Sequence, residues 1–385
     1  MNTSHSGRPT SFASAARSQR MNAALASLMS MIAAAFILTA TPAHACVLCL
    51  PYPQVTNADD VIGSGTAVFA RENPARPFSY VVLEILKGRY DGSAISLFLD
   101  SMTARALKLN PALRVVLVQS GPGETWRALG MAGSEYQDVV RQVAKWDKGS
   151  KTPAERAMFF ARYLRHEDRR LAELAFLEVG RAPYATLRGL KTSVARDDIH
   201  RIINDFFHVE WHGLYILMLG MSDRPDDIAF VRGKLKTAAK YGLTTNLAAY
   251  ATAFIEMTGA DGLKQLTQEY FADPDRTSAE LIEIVKAMSV QGRDGAVELQ
   301  APIVDAYGDL LDHRPELAGY VANDLSDWKV TRFVPRLREI LNAGAGLDGA
   351  SQMVVASYLS SADAGEGAKP GSLGPAVSYE QVSRE

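Results

Sequence analysis

From Thr152 to Leu359 the apolar residues recur with a helical period, and that switch of period splits the chain of 385 residues in two. Ile199, Ile202, Ile203, Phe206 and Phe207 follow the spacing i, i+3, i+4, i+7, i+8 of one apolar helix face, as do Trp211, Leu214, Tyr215, Met218 and Leu219. Phe333, Val334, Leu337, Ile340 and Leu341 form a third such stripe. Gly180, Gly220, Gly242 and Gly259 stand where helices are expected to stop, and Pro183 and Pro315 suit first turns. Thr277 and Glu280 have the spacing of a capping box. These signals predict about a dozen consecutive helices and no strands. Stacked helical hairpins, an irregular HEAT-like α-solenoid, fit this pattern, with a compact non-repeating α-domain as the alternative.

Before that point the pattern is that of short strands. Ala67–Ala70, Phe78–Leu86, Ala94–Leu99, Arg114–Gln119 and Thr125–Leu129 are rich in β-branched and aromatic residues, and Gly63-Ser64-Gly65, Asp91-Gly92 and Gly121-Pro122-Gly123 punctuate them. Five short strands in about 75 residues predict a small β-barrel rather than a βαβ fold, and the resemblance given below makes it OB-like. The fold class expected is therefore α+β, multi-domain.

The first 45 residues read as an address. Arg8, Arg17 and Arg20 are unopposed by any acidic residue, Ala23–Ala40 is an apolar run, and Ala43-His44-Ala45 places small residues at −3 and −1 of a cleavage site before Cys46. The resulting layout is a signal peptide (1–45), a β-domain (46–130), a linker helix (131–151), a helical-repeat domain (152–360) and a disordered tail (361–385). Localisation is expected to be periplasmic or secreted, with no membrane span once the signal is removed; an uncleaved anchor is the alternative. The 41 basic and 43 acidic residues exclude a strong net attraction to nucleic acid, and two cysteines cannot build a disulfide framework.

The order Cys46/Cys49, then Ala58-Asp59-Asp60 and Val68-Phe69-Ala70-Arg71, then Tyr80-Val81-Val82-Leu83-Glu84-Ile85-Leu86-Lys87-Gly88 resembles the netrin-like (tissue-inhibitor-of-metalloproteinase-like) OB domains of secreted bacterial proteins. Glu178–Tyr184, His212-Gly213-Leu214-Tyr215 and Leu311–Ala318 resemble the helical region that follows such domains. The resemblance implies an OB barrel followed by HEAT-like helices. In the eukaryotic inhibitors an N-terminal cysteine chelates the protease zinc through its amine and carbonyl, a position that Cys46 would match. Here the cysteines are spaced Cys-x-x-Cys, and no later cysteine follows.

Cys46 and Cys49 are the leading chemical candidates, as a local disulfide, a redox pair or a soft-metal site. Pro51 and Pro53 follow directly, which is unlike a thiol pair at a helix start. His208 and His212, four apart, are a weaker metal candidate, and the alternative is a pair of interface histidines beside Trp211. Tyr184, Trp211, Tyr215 and His313 are candidates for a binding surface, with core packing as the other reading of the aromatic residues. No nucleophile elbow, P-loop or dinucleotide fingerprint is present. The sequence thus points to an exported, non-enzymatic binding or scaffold protein with a protein partner and no cofactor. A thiol-redox or metal-handling protein and a metalloprotease inhibitor acting through Cys46 are the alternatives.

Overall fold

The segment expected to be wholly β begins with a helix. Thr56 caps α1 (Asn57–Gly63) in a reciprocal box: its hydroxyl accepts from the Asp59 amide, while the Asp59 carboxylate accepts from the Thr56 amide. The computed structural model describes Leu48, residues 55–191 and residues 193–367. The address segment 1–45, Cys46, Cys49 and residues 368–385 lie outside the described residues.

After α1 come β1 (Thr66–Asn73), β2 (Arg76–Lys87), β3 (Ile95–Ser96), α2 (Ser101–Leu109), β4 (Arg114–Gln119) and β5 (Arg127–Ala132). The strands form one antiparallel sheet in the order β3-β2-β1-β4-β5. The expected barrel is not closed: β3 and β5 are the two edges, and β3 is too short to carry a second ladder. Central β1 is covered on both sides, as its run of buried residues from Thr66 to Ala70 requires. Ala67, Phe69, Val116 and Val118 pack on one side with α1, and Val68, Ala70, Val115 and Leu117 pack on the other with Leu107 of α2. This is the period-2 alternation of a sheet with two covered faces. Residues 131–151 hold α3 (Ser134–Val143), whose Tyr136, Val139, Val140 and Val143 are buried in the first of these clusters.

From Thr152 onward the described residues form twelve α-helices: α4 (Pro153–Phe160), α5 (Arg169–Gly180), α6 (Tyr184–Arg188), α7 (Arg196–Ile203), α8 (His212–Leu219), α9 (Pro225–Tyr241), α10 (Leu247–Tyr270), α11 (Ser278–Asp294), α12 (Gln300–His313), α13 (Ala318–Asp327), α14 (Val334–Ala343) and α15 (Gly349–Gly367). Thr277 does cap α11 with Glu280, and Gly242 ends α9 in the left-handed region. Gly259 leaves the helical region (φ 63°, ψ −142°) and breaks α10 into two helical segments across a kink, so a helix does stop there, and the second segment runs on to Tyr270. Consecutive helices pack on one another, as α4 with α5, α7 with α8 and α10 with α11, while α8 also meets α10 and α13 meets α15. Helix α8 is buried on all sides from Gly213 to Leu219, which suits a run without polar residues. Its core is continuous with the sheet face that carries Phe69. The helical pattern also runs past residue 361, where the tail was expected, to Gly367.

A polar knot ties α1 to the helical half. Glu178 of α5 is almost fully buried, accepts from the Thr56 hydroxyl (2.5 Å) and takes two hydrogen bonds from Arg156 of α4 (2.7 and 2.6 Å). Arg156 and Arg181 also clasp Asp59 at 2.8 and 2.5 Å. Burial pushes the Asp59 carboxyl up, but the Thr56 amide and the two guanidinium groups outweigh it and hold it below its ordinary value.

Candidate binding cleft

The stripe that runs from Ile199 to Phe207 on paper is cut in two in space. Asn204 ends α7 after Ile203, and the Asp205 carboxylate accepts from the Phe207 amide (3.0 Å), which starts a separate 3-10 turn over Phe206–Trp211. Ile199, Ile202 and Ile203 stay in the core, while Phe206 and Phe207 are turned out, 82% and 91% exposed. Two adjacent aromatic rings thus stand in water.

The same turn carries one wall of an open cleft of about 280 Å³. Val209 and Glu210 line it from the turn, Thr245 and Asn246 from the loop before α10, Ala248 and Ala249 from the first turn of α10, and Glu283 and Lys286 from α11. Its remaining wall is made by Gly213 of α8 and by Leu48. A Cβ at residue 213 would overlap the Leu48 carbonyl oxygen, so a glycine is what lets the Leu48 backbone lie on α8. Lys286 donates to Glu283 at 2.7 Å, whereas Glu210 is exposed and has no ion-pair partner among the described residues. The lining is thus mixed, with Leu48, Val209, Ala248 and Ala249 beside polar groups that include the unpaired Glu210 carboxylate. Among the described residues, none of its lining side chains is a nucleophile set beside a base.

The two histidines do not share a helix. His208 lies in the 3-10 turn with non-helical backbone angles and shares a hydrogen bond with the Asp205 carboxylate at 2.7 Å. His212 opens α8 and its Nε2 reaches the Asp205 carbonyl at 3.0 Å. Both rings therefore fasten the turn, and among the described residues no group of three or more His, Cys, Asp or Glu side chains is placed to hold a metal ion. Trp211 is half-buried, sandwiched between Phe176 (4.8 Å) and Tyr215 (6.5 Å).

Tyr184 and Tyr215 are not surface residues; both are fully buried. The Tyr184 hydroxyl donates to Glu256 (3.1 Å) and accepts from Gln291 (3.3 Å), and burial together with Glu256 pushes its ionisation well above the usual range. The Tyr215 hydroxyl donates to the Leu164 carbonyl at 3.2 Å. Hydroxyls that find partners inside the core make these tyrosines packing residues. His313 is exposed, and its Nδ1 shares a hydrogen bond with the Asp309 carbonyl one turn earlier on α12.

A second cluster has the residue types of a catalytic triad without its geometry. Asp227 of α9 is fully buried and accepts from Arg196 (2.5 Å), His200 (2.8 Å) and Ser222 (2.6 Å). The serine and the histidine both bind the carboxylate rather than each other, so the histidine does not activate the serine. Burial pushes the Asp227 carboxyl up, but Arg196, Ser222 and His200 more than offset this and bring it down to about 2. The cluster locks α7 to the start of α9.

No protein-family model, curated protein or solved structure matches the chain.

Proposed function

We propose that this is an exported, non-enzymatic binding protein that takes a segment of a protein partner along the cleft beside Leu48, with Phe206 and Phe207 as anchors. The exposed aromatic pair on the turn that walls the cleft is the observation that carries this reading. Interface energy concentrates in a few aromatic anchors next to a partly polar rim. The unpaired Glu210 favours a segment with a Lys or Arg beside an apolar side chain. Export rests on the Ala43-His44-Ala45 cleavage pattern, and no helix among the described residues is long and apolar enough to cross a membrane. The open sheet is read here as a netrin-like OB relative and the helices as irregular HEAT-like pairs.

The test compares the mature wild type with a Phe206→Ser/Phe207→Ser variant as bait in the exported fraction of the source cells. A partner held by the wild type is identified, purified and titrated against both. Loss of two anchors is expected to weaken binding at least about tenfold, since a buried aromatic anchor is worth about 2 kcal/mol. Equal affinity for both baits would sink the reading. Gly213→Val is expected to displace Leu48 and weaken the same partner, with faster protease cleavage between residues 46 and 55 as the structural readout.

A second reading has its own support. Leu48 lies between Cys46 and Cys49 in the sequence and also lines the cleft, which is the support for a thiol-redox or metal-handling role. A Cys46→Ser/Cys49→Ser variant decides: unchanged partner affinity under oxidising and reducing conditions removes this alternative.

A further inference from the structure

Asp324 of α13 is a buried carboxylate placed where three helices meet. One of its oxygens accepts from the Ser289 hydroxyl of α11 (2.7 Å) and the other from the Tyr307 hydroxyl of α12 (2.6 Å). Tyr307 stacks on Trp328 at 6.0 Å, and the Trp328 indole in turn lies over Gly292 of α11 so closely that a Cβ there would overlap it. The charged and titratable groups that face Asp324 are Arg293 from α11, Tyr307 from α12 and Asp327 from α13 itself. Arg293 directs its Nε to Asp294 instead (3.3 Å). Asp324 has no ion-pair partner among the described residues.

We propose that the junction of α11, α12 and α13 is a pH-sensitive element, tight in mildly acidic solution and loosened toward neutral pH as Asp324 takes a buried charge that no ion pair among the described residues neutralises. An ionised carboxylate hydrogen-bonded by two neutral hydroxyls, with Arg293 near but turned to Asp294, is poorly compensated for the water it has lost. Burial pushes the Asp324 carboxyl up to about 6, against the downward pull of Tyr307, Ser289 and Arg293. When α13 lifts away, the carboxyl is solvated and returns to its ordinary value, so closing the junction takes up a proton. The stabilisation is complete below about pH 4 and is lost as the pH rises through about 6. The inference does not rest on the proposed function, although α11 also carries Glu283 and Lys286 of the cleft wall.

Hydrogen exchange of the full chain at pH 5.0 and pH 7.5, corrected for intrinsic rates, tests it. Between these two values the opening constant of α13 is expected to rise about tenfold in the wild type, from a carboxyl near 6 when closed and near 4 when open. The first two turns of α10 are expected to show no such change. Asp324→Asn keeps the shape but not the charge, and is expected to open equally at both values. A wild type with no pH dependence in α13, or an Asp324→Asn variant with the same dependence as the wild type, would overturn the proposal. If Asp324→Asn does not fold, Ser289→Ala decides. Removing one donor is expected to move the transition to higher pH, and an unmoved transition refutes the assignment.

Discussion

Asp227→Ala is expected to lower the stability of the chain by about 3 kcal/mol at pH 7, read from the midpoint of urea unfolding at unchanged slope. The carboxylate is fully buried and binds Arg196 and His200 of α7 and Ser222 of the loop before α9. It stands at the third residue of α9, where the partial positive charge of the helix start adds to the attraction. Removing it strands three donors at once. The Arg196 side chain is 38% exposed and can return to water, so the cost falls at the lower end of the range for a broken buried pair. The sign of the pH dependence follows from the direction of the shift. The folded-state carboxyl is held near 2, below its ordinary value, so its contribution is complete above about pH 4 and fades as the pH falls through about 2. Asp227→Ala is thus expected to trail the wild type by less at pH 3 than at pH 7. A gap that stays constant, or widens, in acid would show that the network does not act through the ionised carboxylate.

Much of the fold is legible in the residues because single-element signals are strong here. The Thr277/Glu280 box, the Gly242 stop and the apolar stripe of α8 act within one or two turns, and local chemistry decides them. β4 occupies the run Arg114–Gln119 that its Val-Val-Leu-Val core predicts. What local pattern does not carry is where one element yields to another. Phe206 and Phe207 continue the spacing of Ile199, Ile202 and Ile203, yet they are exposed because Asn204 and Asp205 begin a new turn. The signal was present: an Asn-Asp pair inside an apolar stripe is a capping pair before it is a helix interior. Similarly, Thr56 and Asp59 mark α1, but the nearby Gly63-Ser64-Gly65 turn and the following strand draw the whole segment into the β reading. Closure of the sheet is not a local property at all; it depends on whether the edge strands reach each other, and two-residue β3 cannot. The cleft is still less legible, since Leu48, Gly213, Asn246 and Glu283 come from four separate parts of the chain.

Close backbone approaches are the other property hidden from periodicity, and the second large effect expected falls on one of them. Gly319 is the second residue of α13, and a Cβ there would stand 2.5 Å from the Cβ and 2.6 Å from the Cα of Ser351 at the start of α15. A clash with a flexible side chain can be relieved by a rotamer change; one with a Cα requires a helix to move. Gly319→Val is therefore expected to push α15 off α13 and destabilise the chain by about 3 kcal/mol, the upper part of the range for overpacking. The displaced helix buries Val355, Tyr358 and Leu359, and the Tyr358 hydroxyl donates to the Val330 carbonyl at 2.6 Å. Loss of these contacts exposes apolar area that adds to the steric cost. The damage is expected to be local: hydrogen exchange should quicken across residues 349–364, while the sheet and α1, which lie at the other end of the sequence, keep their protection. Gly349→Ala is the matched control, because no atom lies within 4 Å of the Cβ it would add, and it is expected to leave the midpoint unchanged. Equal stability of Gly319→Val and Gly349→Ala would mean that α13 and α15 are not held at backbone contact, and that the tight crossing at Ser351 is not what docks the last helix.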